Sequence, residues 1–175
     1  MADKRIPFSN EELPIKEIEA YFVTTEKALR SFYQINNLYF TTYTVEELSN
    51  ELERRIEELD KSTAFTILAA IEAHLRVDFL QRCYNKEKDS LSKRFRNLNK
   101  KKGSSVSLSD DILELWMQHI SKKSVISELR GALNYRHWLA HGRYWVAKWG
   151  RKYDFYDVLT LAINIQNELG IEMGA

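Results

Sequence analysis

Residues 124–142 read Ser124-Val125-Ile126-Ser127-Glu128-Leu129-Arg130-Gly131-Ala132-Leu133-Asn134-Tyr135-Arg136-His137-Trp138-Leu139-Ala140-His141-Gly142. Ser124 is a helix-opening residue, the apolar side chains recur at helical spacing, and Gly142 is a stop signal, so the stretch predicts a helix over about 125–141. Placed around a helical wheel, Ala132, Val125, Leu129, Ala140, Leu133 and Ile126 follow one another along a single apolar arc. Arg136 falls between Val125 and Leu129, inside that arc. A guanidinium stays charged, and burying it alone is costly. The helix therefore needs an anion, a partner subunit or a water-filled cleft beside Arg136.

The same reading extends outward in both directions. Residues 1–13 are polar and read as loose. Pro14 suits a first helical turn, and Ile15, Ile18, Phe22, Leu29, Phe32 and Tyr33 predict a helix over about 14–37. Residues 38–43 read as a connector. Thr44 with Glu47 forms a capping-box pattern ahead of a charged helix over about 45–60. Ser62 or Thr63 then opens the most apolar helix, about 63–85. A short basic helix follows over about 90–98, then a flexible loop over 99–108. Ser109 caps a helix over about 110–120, and Asp154 with Asp157 caps the last, about 155–169, which ends at Gly170. The expectation is an all-α, single-domain bundle of five to seven helices spanning 1–175.

The chain of 175 residues is 44% hydrophobic, enough to bury a core and exclude wholesale disorder. A single cysteine, Cys83, excludes an intrachain disulfide framework and multi-cysteine zinc sites. No apolar run reaches the roughly 18 residues of a membrane helix, and the polar start is no signal peptide, so a soluble cytoplasmic protein with no membrane partner is expected. Net charge is +1 overall but uneven: −6 over 1–75, +11 over 76–152 and −4 over 153–175. The basic middle suits a polyanion site. A solvated helical face and a charged loop account for the same numbers.

In the helix over 63–85, Ala64, Leu75, Leu68, Phe79 and Phe65 follow one another along an apolar arc, and Glu72 falls inside it, between Phe79 and Phe65. Glu72 is the natural partner for Arg136. Two readings stand: a core ion pair that only fixes register, or part of a site. Two histidines, His137 and His141, and a second arginine, Arg143, lie close by at the C-terminal end of the helix over 125–141, which favours protonated imidazole. A histidine that moves a proton beside an arginine that holds charge is apparatus for phosphodiester chemistry. Arg136 and His141 are about 140° apart on an ideal helix, so they converge only if the helix end unwinds or a second copy completes the site.

Arg136 followed by four residues and His141-Gly142 resembles the R-x4-6-H motif of the HEPN superfamily, and Ile71-Glu72-Ala73-His74-Leu75-Arg76 resembles the upstream helix of its RiboL-PSP-HEPN-like branch. The resemblance covers about 60–170. It implies a HEPN-like helical fold and a metal-independent endoribonuclease, of the kind found in toxin–antitoxin, abortive-infection and antiviral systems. It also implies a homodimer with a composite active site and no cofactor. The RNA 2′-OH would attack the adjacent phosphate, leaving a 2′,3′-cyclic phosphate and a 5′-OH. On this chain His141 would be the general acid/base, Arg136 the phosphate clamp and His137 an orienting residue, with Glu72 in support. An antitoxin or regulatory protein would restrain the enzyme. Other proteins of this resemblance are noncatalytic modules that bind RNA, nucleotides or proteins, which is the alternative. Some toxins of the family carry a modified Tyr two positions after the motif His; that position here is Arg143, with Tyr144 next.

The aromatic run Tyr144, Trp145, Trp149, Tyr153, Phe155 and Tyr156, interleaved with Arg143, Lys148, Arg151 and Lys152, has the mixture that stacks bases beside phosphates. From it, Arg143, Tyr144, Trp145 and Lys148 are the expected RNA contacts, and Phe155 and Tyr156 are expected to pack the last helix. Lys100, Lys101 and Lys102 read as a solvated loop. His137 and His141 are also spaced i, i+4 as zinc ligands are, but Trp138 stands where the Glu of H-E-x-x-H would be, and a third ligand would have to come from His74, His119 or a carboxylate. No metal is expected. Cys83 reads as a partly buried thiol.

Overall fold

The structure, a computed structural model, describes residues 6–9, 11–146, 151 and 153–174. All regular elements among the described residues are helical, six of them α-helices. Helix α1 runs Ile15–Phe32 and α2 Val45–Tyr84. Helix α3 runs Ser90–Lys102 and α4 Leu113–Met117. Helix α5 runs Lys123–Ala140 and α6 Phe155–Leu169. Helix α2 is the central rod; α1, α6, α5 and α3 pack around it. One continuous apolar core joins Ile15, Phe22, Ile67, Leu68, Phe95, Trp116, Leu129 and Ile165.

Most helix ends follow from local chemistry. Thr44 and Glu47 satisfy each other's backbone amides at the start of α2, and Asp154 and Asp157 do the same at the start of α6. Gly170 ends α6 in the left-handed conformation at φ 65°. The first amides of α1 are satisfied from the far end of the chain: Ile15 N–H donates to the Met173 carbonyl at 3.0 Å and Lys16 N–H to the Gly174 carbonyl at 2.9 Å.

Four expectations are corrected. The two helices expected over 45–60 and 63–85 are one helix of 40 residues. Ser62 and Thr63 do not open a new helix: both hydroxyls donate to the Leu59 carbonyl, at 2.9 and 2.7 Å, as they do in helix interiors. No Gly or Pro interrupts the ladder there. Helix α3 continues past residue 98 to Lys102, and a 3-10 turn over Gly103–Ser105 takes up part of the expected loop. The cap before α4 is Ser107, whose hydroxyl accepts from Asp110 N–H, and the chain then makes a π-helical turn over Leu108–Ile112. Helix α1 stops at Phe32 instead of 37, where Asn37 Nδ2 donates to the freed Phe32 carbonyl at 2.8 Å.

Candidate functional site

Val125, Ile126, Leu129 and Ala132 bury the inner face of α5. Arg136 continues that face to the point where α5 passes α2. Its Nη2 lies 3.5 Å from Glu72 Oε2, with the Arg136 side chain one-third exposed. Its guanidinium carbon lies 5.5 Å from the centre of the Phe65 ring, in cation–π range. Its Nε is buried and has no hydrogen-bond partner among the described residues. The other Glu72 oxygen accepts from Arg76 Nε at 3.0 Å, one helical turn along α2. The pairing expected from the two helical wheels is therefore present, but it is not sealed in the core. It forms one wall of an open cleft of about 390 Å³, lined by Glu72, Arg76, Ser107, Asn134, Arg136 and His137 among others.

The end of α5 explains where His141 goes. His141 is the C-cap residue, and its N–H donates to the His137 carbonyl at 3.1 Å. Gly142 N–H bonds the Leu139 carbonyl at 3.4 Å and Arg143 N–H bonds the Trp138 carbonyl at 3.1 Å. These two bonds, with Gly142 at φ 77°, make a Schellman motif, which favours a residue without Cβ at that position. His141 is left exposed outside the cleft, its ring centroid 4.2 Å from that of His137. Trp145 completes a cluster of three rings, 5.9 Å from His137 and 6.4 Å from His141. Within one chain the structure brings Arg136, Glu72 and His137 into one cleft and sets His141 next to it, through His137.

Of the expected RNA contacts, Arg143, Tyr144 and Trp145 do not line that cleft. Both terminal nitrogens of Arg143 grip Glu58, at 2.7 and 2.6 Å, which ties the end of α5 to α2. The Arg143 hydrogen bond holds the Glu58 carboxyl below its ordinary value. Tyr144 is exposed and meets Trp145 edge-on at 4.7 Å. The Trp145 carbonyl accepts from Trp138 Nε1 at 2.9 Å. Lys148, Trp149 and Lys152 lie outside the described residues. Phe155 packs as expected, stacked on Phe22 with centroids 3.8 Å apart, whereas Tyr156 touches Phe22 edge-on and stays exposed. Cys83 is buried.

Among the described residues, no three of His, Cys, Asp and Glu are grouped to hold a metal ion. His74 keeps a buried Nε2 without a hydrogen-bond partner among the described residues, and His119 packs on Trp116 at 6.0 Å. No helix among the described residues is long and apolar enough to cross a membrane. Arg76, Ser107 and Asn134 are cleft residues that the sequence reading gave no role. Only Arg76 left a signal: it follows Glu72 by four residues, which puts the two on one helix face. Comparison with family models, with curated proteins and with solved structures finds no match.

Proposed function

We propose that the chain is a metal-independent endoribonuclease of the kind its R-x4-H motif resembles, acting in toxin–antitoxin or antiviral defence with an antitoxin or regulatory partner to restrain it. One observation carries the reading: the Arg136 guanidinium opens into a polar cleft shared with His137, one turn before His141. A fixed cation there stabilises charge building on a phosphate, and an imidazole at the helix end moves the proton. The 2′-OH forms a bond to phosphorus, the bond from phosphorus to O5′ breaks, and the proton is returned to that oxygen. The products are a 2′,3′-cyclic phosphate and a 5′-OH. Arg136 clamps the phosphate, His141 is the acid/base and His137 orients it. Because His141 stands outside the single-chain cleft, a homodimer that brings His141 of one copy to the other's Arg136 gives the complete site.

The test is incubation of the full chain with single-stranded and transfer RNA in EDTA, with detection of cyclic-phosphate ends. Arg136→Ala and His141→Ala are each expected to lower cleavage by about 100-fold or more with an unchanged circular dichroism spectrum. RNA left intact by the wild type sinks the proposal. Light scattering tests the composite site, and a strict monomer at tens of micromolar would count against it. A second reading, a noncatalytic RNA- or nucleotide-binding module, is favoured by the Glu72 carboxylate, which already faces Arg136. RNA that is bound by the wild type and never cut would establish it.

A further inference from the structure

We infer that the cleft between α2, the turn before α4 and the end of α5 is a phosphodiester subsite in which Arg76 and Arg136 hold one phosphate, and that the Glu72 carboxylate is an internal stand-in for it. This deepens the reading of the cleft as a nucleic-acid site and rests on it. Glu72 bridges the two guanidiniums oxygen by oxygen, Oε1 to Arg76 at 3.0 Å and Oε2 to Arg136 at 3.5 Å. Two arginines on either side of one anion is the arrangement that also receives a phosphate.

The pair is loose on the Arg136 side. Charge-assisted bonds to carboxylates usually close to about 2.7–2.9 Å, so 3.5 Å leaves the Arg136 side incompletely satisfied. Its Nε adds a buried donor with no partner among the described residues. Both cations are reachable from solvent, with 44% of the Arg76 side chain and 33% of the Arg136 side chain exposed. Glu72 is the only acidic residue among the described residues lining the cleft. Displacing its carboxylate therefore leaves an anion site with two arginines, and a strand that enters must compete with Glu72 for them. The π-helical turn over Leu108–Ile112 follows Ser107, a further lining residue, and is the kind of helix irregularity often found at functional sites.

The probe is a fluorescent single-stranded oligodeoxynucleotide, which lacks the attacking 2′-OH and reports binding without cleavage. Anisotropy is read on the full chain across a salt series in EDTA. Glu72→Gln removes the competing charge and is expected to tighten binding about fivefold or more at low salt. Glu72→Asp, which draws the carboxylate back by one methylene, is expected to tighten it in the same direction and serves if the Gln variant does not fold. Arg76→Gln is expected to weaken binding and to make the salt dependence shallower by about 0.7, one phosphate contact on a single strand. A folded Glu72 variant that binds no tighter overturns the inference, as does Arg76→Gln with an unchanged salt slope, or a wild type and Glu72→Gln that both ignore the probe. RNA cleavage by the wild type, with Glu72 variants no tighter, removes the stand-in and leaves the nuclease. Tighter binding by Glu72→Gln, with RNA never cut, removes the nuclease and leaves the subsite.

Discussion

The two halves of α2 belong to one unbroken helix and are held by different forces. From Val45 to Glu58 only Leu48 is buried, and the exposed faces carry intrahelical pairs such as Arg55–Glu51 at 2.7 Å. From Leu59 to Tyr84 the helix buries Ile67, Leu68, Ile71, Leu75 and Phe79 against its neighbours. The first half is helical because its residues favour helix and Thr44 with Glu47 caps it, and its outside ties are exposed ones, Glu58 to Arg143 and Arg55 to Tyr33. The second half is helical and also fixed in place by packing. Glu72 and Arg76 stand on the fixed half, where the packed helix sets their backbone positions beside Arg136.

The sharpest way to break this comparison is at the junction. If Ser62 opened a second helix, proline there would be tolerated in the first turn. In a continuous helix it removes the bond from residue 62 to the carbonyl of residue 58 and clashes with it. Ser62→Pro is therefore expected to cost about 3 kcal/mol or more, read from urea unfolding. A loss below about 1 kcal/mol would mean that the two halves are separate helices.

The next effect sharpens the contrast between the halves through two arginines in the same i, i+4 geometry. Arg82 donates from Nε to both Asp78 oxygens, at 2.8 and 2.9 Å, and its guanidinium carbon lies 5.4 Å from the Trp116 ring centre. Both side chains of the pair are mostly covered, and burial holds the Asp78 carboxyl above its ordinary value even with Arg82 beside it. Arg82→Gln leaves that mostly covered carboxylate without its cation and is expected to cost about 2 kcal/mol in the same unfolding assay. A variant as stable as the wild type would place the end of α2 among the locally held segments.

Which parts of this were legible in the sequence follows from the range of the chemistry. The caps at Thr44, Asp154, Gly142 and Gly170 were readable because a cap involves residues within one turn. Ser62 and Thr63 misled because the same hydroxyls cap a helix or bond back within one, and only the surrounding ladder decides. The meeting of Arg136 and Glu72 was legible because each is a charge on an apolar arc, and two such arcs in one core tend to face each other. Ser107 and Asn134 were not legible as cleft residues, because their place depends on how the turn before α4 crosses α5, and no periodicity encodes that crossing. His141 stays where the helical wheel puts it, one turn after His137 and about 140° from Arg136, because its N–H still bonds the His137 carbonyl and the left-handed turn begins only at Gly142.

A smaller effect is expected at Asp60, where the exposed half of α2 gives way to the buried half. Its Oδ1 accepts from Phe155 N–H at 2.8 Å, an amide at the start of α6 that no helical carbonyl reaches. Burial raises the Asp60 carboxyl above its ordinary value; the Phe155 bond pulls it back, and Asp154 and Asp157 push it up further. A carboxyl that holds its proton more tightly in the fold than in the unfolded chain contributes stability below its unfolded value. That contribution is lost as pH rises through the folded value. Asparagine keeps the acceptor and drops the charge. Asp60→Asn is therefore expected to be more stable than the wild type at neutral pH, with the gap closing on acidification. Thermal melts across that range check it, and a gap that widens in acid would contradict it.

The smallest effect belongs to the exposed half. Arg55 meets Glu51 at 2.7 Å and also hydrogen-bonds the Tyr33 side chain at the end of α1, but the arginine side chain is 59% exposed. In water such a pair gains little Coulomb energy, gives up side-chain entropy and is screened by salt. The neighbouring turns hold the helix without it, since Thr44 and Glu47 cap its start and the backbone ladder runs on into the packed half. Arg55→Gln is expected to leave the unfolding midpoint where it is, at low and at high salt, while Arg82→Gln moves it. Both substitutions remove the same charge from the same helix, so the difference between them measures what surrounds each pair and not the pair itself. Equal losses at the two sites would mean that the first half of α2 is held by contacts as firm as those of the second, and the contrast between the halves would fall with them.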